Sequence, residues 1–454
     1  MWPDAFGGWG APDRSANAER TSLLYQIGRI PKDPEEEEDP EICARVQRYF
    51  LENYPSRNLK FDKQSVLSRV RTAISHLKGS ASPGFPYQKF WNTNTEAVAE
   101  LGEEWLVEAV WNRLVLVSSV PFNEFKDLTA LEMVKKGLRD PVRVFVKNEL
   151  HTEQKIKDGR MRLIFSISLV DQLYDRVLDE PQMEDEIYSW ETLSSKPGMG
   201  LHDKGLDSLK AFILKMSRSA GTDVSGWDFS FTEEDYIWDG NIRAQLNGYA
   251  PGDNAWVRRA LLAAKSLFVF SDGRVWEQLI AAIMKSGLLG TSSSNSKVRV
   301  KRALEFGFNM QKKRDLPLEA VGVCAMGDDC VEDLVQGVTS EELTDFYARR
   351  GTRIKHVELM EDRGNVEFCS YQFWSDGRTI PTGWQKKLAT MLYRFPPPEL
   401  FEARMENLEL ELRHHPNKHE FLNMIYQVAD AVVEGVGHSA TQGDDSVSTS
   451  LTHC

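Results

Sequence analysis

The sequence predicts an α+β protein, and three observations carry that expectation. Stretches such as "EICARVQRYFLENY" and "KQSVLSRVRTAISHLK" place apolar residues at helical spacing. Between such stretches lie short runs, "PVRVFVKNEL", "RMRLIFSISL" and "AVGVCAM", that alternate or run apolar as strands do. At 454 residues the chain is too long for one ordinary core, and its length suggests about three packed units.

Taken in order, the first forty residues look irregular, and two helices follow them. "GSASPGFPYQKF" is punctuated by Gly and Pro, so it reads as a turn-rich connector. Helical stretches over 95–117 and 122–137 lead into the pair of runs at 141–150 and 160–169, read as paired strands. Residues 170–220 read as mostly helical. "SAGTDVSGWDFSF" then gives a small-residue turn and a short strand with two aspartates five apart, Asp223 and Asp228. A helical region reaches "SDGRVWEQ", and "MKSGLLGTSSSNSKVRVKRALEFGFNM" reads as a Gly/Ser-rich loop entering a helix with a basic face. "AVGVCAM" and "CVEDLV" flank a Gly-Asp-Asp turn as a hairpin would. After "EELTDFYARRGTRIKHVEL" and the strand-like "NVEFCSYQFW", helices fill 383–436, and a polar tail over 437–454 reads as disordered.

Composition removes several function classes. The longest apolar runs are broken by Glu108, Arg113 and Lys265, short of the ~18 residues a membrane span needs. The N-terminus lacks the basic start and apolar core of a secretory signal, so a cytosolic chain is expected. Five widely spaced cysteines without a CxxC pair argue against a disulfide framework or a zinc knuckle. His414, His415 and His419 read as part of a solvated loop. "KPGMGLHDKG" lacks the third glycine and the preceding strand of a dinucleotide site. A net charge of −13 counts against a nucleic-acid binder. The charge is uneven, however: acid gathers in "DPEEEEDPE", while residues 135–165 are strongly basic. An acidic exterior around a basic channel fits that pattern.

The Gly-Asp-Asp triplet occurs twice. Asp328 and Asp329 project from an apolar hairpin, whereas Asp444 and Asp445 lie in a Ser/Thr/Gln tail and read as an ordinary polar turn. Carboxylates held on a buried scaffold are costly without a counterion, so the hairpin asks for a cation. A site that handles phosphates through hard cations needs a further carboxylate from another strand, and Asp223 is the candidate.

In chain order, "SPGFPY", "VKNELHTEQKIKDGRMRLI", "DVSGWDFS", "SGLLGTSSSNS", "AMGDDC" and "EFCSYQF" resemble the successive motifs of a viral RNA-dependent RNA polymerase of the picornavirus-like group. "KNELH" and "SLVDQL" bring it closest to the sobemovirus and luteovirus-like branch. The resemblance covers roughly residues 80–375. It implies a right-hand fold: N-terminal segment 1–60, fingers 61–215 and 241–285, palm 216–240 and 286–372 on an antiparallel sheet, and helical thumb 373–436.

The resemblance also implies roles. Asp223 and Asp328 would ligate two Mg²⁺ ions, with Asp329 assisting and Mn²⁺ able to substitute. Backbone amides from Val224 to Trp227 would receive triphosphate oxygens. Asp228, with Asn295 and Thr291, would check the ribose 2′-OH. Ser286 and Gly287 would form the flexible loop that follows the template. Lys147, Lys155, Arg160 and Arg162 would line the nucleotide channel, with His151 standing where relatives carry an arginine. Lys355 would protonate departing pyrophosphate. Single-stranded RNA template, primer and NTPs would be bound, and the small thumb favours primed synthesis. A genome-linked protein primer, other replication proteins and membrane-associated complexes in the host cytoplasm are implied as partners and place. The rivals are a reverse transcriptase, which Asp228 and Asn295 oppose, and a non-catalytic RNA-binding scaffold.

Overall fold

The computed structural model describes residues 8–30 and 39–440, with side chains to residue 431. Asp444, Asp445 and most of the acidic run lie outside the described residues. The chain divides into a large unit, Gly10–Thr379, and a smaller one that holds the C-terminal helices from Ile380.

After the two-residue strand β1 (Trp9–Gly10), helix α1 (Ala16–Ile27) is the first helix of the large unit, where the sequence suggested irregular chain. The helix starts because the Ser15 side chain caps the Ala18 amide, and it holds because Ala18 and Leu23 are buried. Its apolar stripe is too narrow to show as periodicity. Helices α2 (Pro40–Asn53) and α3 (Lys63–Ser75) are capped by Asp39 and Asp62. The stretch at 95–117 is two helices, α4 (Asn94–Leu101) and α5 (Glu103–Ser119), because Gly102 at φ 81° breaks the run. Helices α6 (Phe122–Asp127) and α7 (Ala130–Lys135) follow. Side chains of α3 and α5 pack with α9 (Leu169–Tyr188), α12 (Glu233–Leu246) and α13 (Ala255–Ala264) around Val70, Leu106, Val110, Leu173 and Trp256.

Strands β2 (Val142–Val146) and β4 (Leu163–Ser166) pair antiparallel. Between them lie β3 (His151–Thr152) and α8 (Glu153–Lys157). The hairpin β6 (Leu267–Val269) and β7 (Val275–Glu277) extends the sheet, with β6 parallel to β2. This hairpin falls within the stretch that reads as helical in the sequence, since three-residue strands offer too few positions for a period to register.

The central sheet has the order β10–β5–β9–β8, all antiparallel: β5 (Ser219–Val224), β8 (Val323–Met326), β9 (Asp329–Asp333) and β10 (Ile354–Leu359). Around it stand α10 (Asp203–Ile213), the short α11 (Trp227–Ser230), α14 (Thr291–Lys313), α15 (Ser340–Arg349) and α16 (Met360–Arg363). The basic face of α14 turns inward: Lys297 pairs with Glu186 at 3.0 Å and Asp239 at 3.2 Å, and Arg302 with Asp235 at 2.8 Å. "NVEFCSYQFW", expected as one strand, is a hairpin of β11 (Asn365–Phe368) and β12 (Tyr371–Trp374), turned by Cys369 and Ser370 at positive φ.

In the smaller unit, α17 (Trp384–Tyr393), α18 (Pro398–Leu412) and α19 (Lys418–Ala440) close on Leu388, Leu408, Leu412 and Ile425. His415 packs on Trp384 and Phe421 rather than lying in a solvated loop, and burial lowers its pKa.

Candidate active site

Chain pairing puts the acidic residues at one end of the central sheet. The register pairs Thr222 with Cys330 and Met326 with Asp329, so Asp223 near the end of β5 lies beside the turn that carries Asp328 and Asp329. On the other side of β5, Ile354 pairs with Val224 but His356 pairs with Asp223. Lys355 is therefore an extra residue, a bulge of the kind that re-aims a side chain. Its ammonium lies 2.8 Å from Asp223 Oδ2 and 3.1 Å from Oδ1.

The electrostatics identify what this cluster lacks. Asp329 is pushed up to about 7, first by burial and then by Asp328, Asp223 and Glu367. Asp328 sits open at the turn, yet the protein crowded around it raises its pKa too, again with Asp223 adding repulsion. Burial, and then the neighbouring Asp329, raise the pKa of the Cys369 thiol, so it stays protonated beside the aspartates. These are oxygen donors in mutual repulsion, with Lys355 as a neighbouring cation, and that donor set suits a hard divalent ion. They do not form a closed cage. Among the described residues the three side chains whose ligand atoms lie within 4.8 Å of one another are His76, Glu180 and Glu184, at the surface. A wider arrangement of aspartates is what a site completed by substrate phosphates requires.

Asp228 follows the β5 turn. Burial lifts its carboxyl to about 6, against the opposing effect of Asn295, whose Nδ2 donates to Oδ1 at 2.8 Å. Thr291 does not join this pair through its proton: its hydroxyl donates to the Lys285 and Leu288 carbonyls, closing the loop before α14. Ser286 and Gly287 are docked on β4 rather than free. The Phe165 amide donates to Ser286 Oγ at 3.2 Å, and a Cβ at Gly287 would stand 2.0 Å from the Phe165 carbonyl oxygen.

A cavity of about 850 Å³ lies alongside, lined by Arg29, Lys155, Arg160, Arg162, Arg353 and Lys355, and among the described residues no carboxylate lines its wall. Lys147 is not part of that wall; it pairs with Glu149 at 2.9 Å. His151 is buried: its Nδ1–H donates to the Glu149 carbonyl and its Nε2 accepts the Arg162 amide at 3.0 Å, so it fixes the strand under Arg162 and meets no phosphate itself. The Ser225 amide is spent on the Arg353 carbonyl at 2.9 Å and is not offered to a ligand. Nothing local in the sequence distinguishes Arg29 or Tyr25, which reach the cavity only through the path of α1. Glu367 lay within a recognised motif but signalled only a strand.

A carboxylate hairpin facing a strand aspartate, beside a channel walled by cations, defines a class: enzymes that transfer nucleotidyl groups between phosphate-bearing substrates. A family model for viral RNA-directed RNA polymerase matches residues 12–215 and 242–379. The chain belongs to that family, an RNA-directed RNA polymerase family whose members use divalent metal ions and bind RNA and nucleoside triphosphates. Asp223 and Asp228 fall between the two matched segments, so their placement rests on the geometry above. The chain is 30% identical to the RNA-directed RNA polymerase of Mushroom bacilliform virus, over 84% of this chain and 90% of that one. It is 34% identical to a replicase polyprotein of Southern bean mosaic virus, over 83% of this chain but only 39% of the polyprotein. A Potato leafroll virus protein is 29% identical, and the match covers 40% of its length. Among solved structures the fold is shared with the RNA-dependent RNA polymerase of a human picobirnavirus, at TM-score 0.63 and 13% identity over 89% of this chain and 72% of that one. No helix among the described residues is long and apolar enough to cross a membrane.

Proposed function

We propose that this chain extends an RNA primer on an RNA template, joining the primer 3′-OH to the nucleotide α-phosphate and releasing pyrophosphate, in the genome replication and transcription of a positive-strand RNA virus. The observation that carries the reading is the convergence of Asp223, Asp328 and Asp329 at one sheet end, beside a cavity walled by cations. Residues 61–215 and 241–285 serve as fingers, 216–240 and 286–372 as palm, and 373–436 as thumb.

Asp223, Asp328 and Asp329 would hold two Mg²⁺ ions, replaceable by Mn²⁺, which supply charge neutralisation for the attacking and leaving oxygens. Every other part belongs to the chain. Lys155, Arg160 and Arg162 neutralise and orient the triphosphate. Lys355, held against Asp223, stands where a proton is needed on departing pyrophosphate. The Asp228–Asn295 pair accepts the ribose 2′-OH, which favours RNA synthesis over the reverse-transcriptase reading. Ser286 and Gly287, seated on β4, support the template strand. A protein primer linked to the genome, other viral replication proteins and membrane-associated complexes in the host cytoplasm complete the reading.

The test is labelled NTP incorporation on a primed RNA template with Mg²⁺. The unaltered chain and Asp445→Asn extend the primer, and Asp328→Asn does not while keeping the same thermal unfolding. Failure of the unaltered chain with Mg²⁺, Mn²⁺ and several primers would overturn the reading in favour of a scaffold.

A further inference from the structure

The wall of the nucleotide cavity carries more positive charge than the expected fingers residues account for. Lys355 is paired with Asp223, Arg162 with Glu149 and Arg160 with Asp158. Arg29 and Arg353 take part in no ion pair among the described residues, yet both line the cavity. Two arginines without an ion-pair partner, in a wall with no carboxylate among the described residues, leave positive charge that an anion must answer.

Neither group is there by chance of a loose chain. Helix α1 is stitched to the fingers loop: Ser22 Oγ donates to the Gly159 carbonyl at 2.9 Å and accepts the Met161 amide at 3.2 Å, and Gln26 Nε2 donates to the Met161 carbonyl at 2.9 Å. Arg29 follows that helix directly. Its guanidinium lies over the Tyr25 ring at 5.3 Å from the centroid, and Arg160 approaches the same ring at 6.0 Å. The Arg29 side chain runs across Gly226, the turn residue between Asp223 and Asp228. A Cβ there would meet Arg29 Cδ at 2.8 Å, which shows how near the side chain passes, and Gly226 has φ +67°, a backbone conformation that favours glycine. The Arg353 carbonyl accepts the Ser225 amide at 2.9 Å, which ties Arg353 to the same turn. Two arginines from distant parts of the chain are thus held at the turn that follows Asp223.

We propose that Arg29 and Arg353 form a second, N-terminally completed phosphate subsite that grips the outer phosphates of the incoming nucleoside triphosphate, with Tyr25 as the platform that orients Arg29. The proposal rests on the polymerase reading for the identity of the ligand, and its test separates the two. The subsite binds charge remote from the base, so it serves all four nucleotides alike. Because the outer phosphates are held before and during transfer, its loss weakens ground-state binding more than turnover.

The experiment uses the full chain with Arg29→Gln, Arg353→Gln and Arg29→Lys, each first shown to unfold at the parental temperature. Inorganic tripolyphosphate is the probe in equilibrium binding, alongside steady-state incorporation of each NTP. The expected result is a KM raised about tenfold or more for all four NTPs by either Gln variant, with kcat within about twofold and tripolyphosphate affinity falling in parallel. Arg29→Lys restores part of the affinity, since it keeps the charge but loses the planar stack on Tyr25. Affinity for primed RNA stays unchanged. Unaltered tripolyphosphate binding in both Gln variants, or a loss confined to RNA affinity or to kcat, would overturn the subsite. If the unaltered chain incorporates nothing, the polymerase reading fails, and tripolyphosphate binding still reports whether the two arginines hold a polyphosphate.

Discussion

Replacing Asp228 with alanine tests the sugar check directly. The carboxyl is largely withdrawn from water, has a pKa lifted to about 6, and already accepts one hydrogen bond from Asn295 at 2.8 Å through Oδ1. Above that pH it is ionised, and Oδ2 remains to accept a second donor. A ribose hydroxyl donating to a buried carboxylate makes a charge-assisted bond of ~1.5–3 kcal/mol. At 1.36 kcal/mol per tenfold, that is about 10- to 150-fold in kcat/KM. The assay compares UTP and dUTP incorporation on the same primed RNA at about pH 8, a value that keeps Asp228 ionised. Asp228→Ala should shrink the UTP/dUTP ratio by that factor, entirely through the loss for UTP, while Asn295→Ala, which removes only the orienting bond, shrinks it less. An equal fall for both nucleotides would refute the reasoning, because it would make Asp228 a structural support of the palm and not a reader of the 2′-OH.

Four further outcomes are expected. Lys355→Gln should slow the chemical step in rapid-quench measurements by ~10²-fold or more, with NTP affinity little changed, as loss of a proton donor does. Removing the cation from the buried Lys297–Glu186–Asp239 group by Lys297→Met should cost ~3–5 kcal/mol, read as a melting temperature lower by roughly 5 °C. Gly287→Ala should abolish activity, since its Cβ must displace the loop from the Phe165 carbonyl; retained activity with normal template affinity would contradict the docking. Mg²⁺ binding should displace the proton that Asp329 holds up to about pH 7, so calorimetry would show affinity rising about tenfold per pH unit below 7 and levelling above it. In the metal-free chain the same raised pKa works against stability: its contribution is full below the ordinary value of 3.8 and lost as pH climbs through about 7.

The acidic hairpin was legible because its signal is local: two apolar runs, a two-residue turn and an aspartate pair lie within a dozen positions. Misreadings arose where the deciding partner is far away in sequence. Helix α1 looked irregular because it earns its place through Glu19, which accepts from the Ser271 amide at 3.0 Å. The basic face of α14 is plain in the sequence, but only Glu186, Asp235 and Asp239, on α9 and α12, explain why it is buried. His151 stands where relatives carry an arginine, yet its ring is consumed by the strand beneath Arg162.

By itself, the sequence determined the α+β class, the order of the motifs, the hairpin that presents Asp328 and Asp329, and the choice between the two Gly-Asp-Asp triplets. Each follows from periodicity and turn chemistry, which act over a few residues. The tertiary structure alone decided which charges are spent and which are free. Register across β5 and β10 makes Lys355 a bulge against Asp223, and the path of α1 carries Arg29 to the turn at Gly226. Such pairings depend on strand offset and on where a helix docks, and a one-residue shift in either would turn the same side chains away from the site.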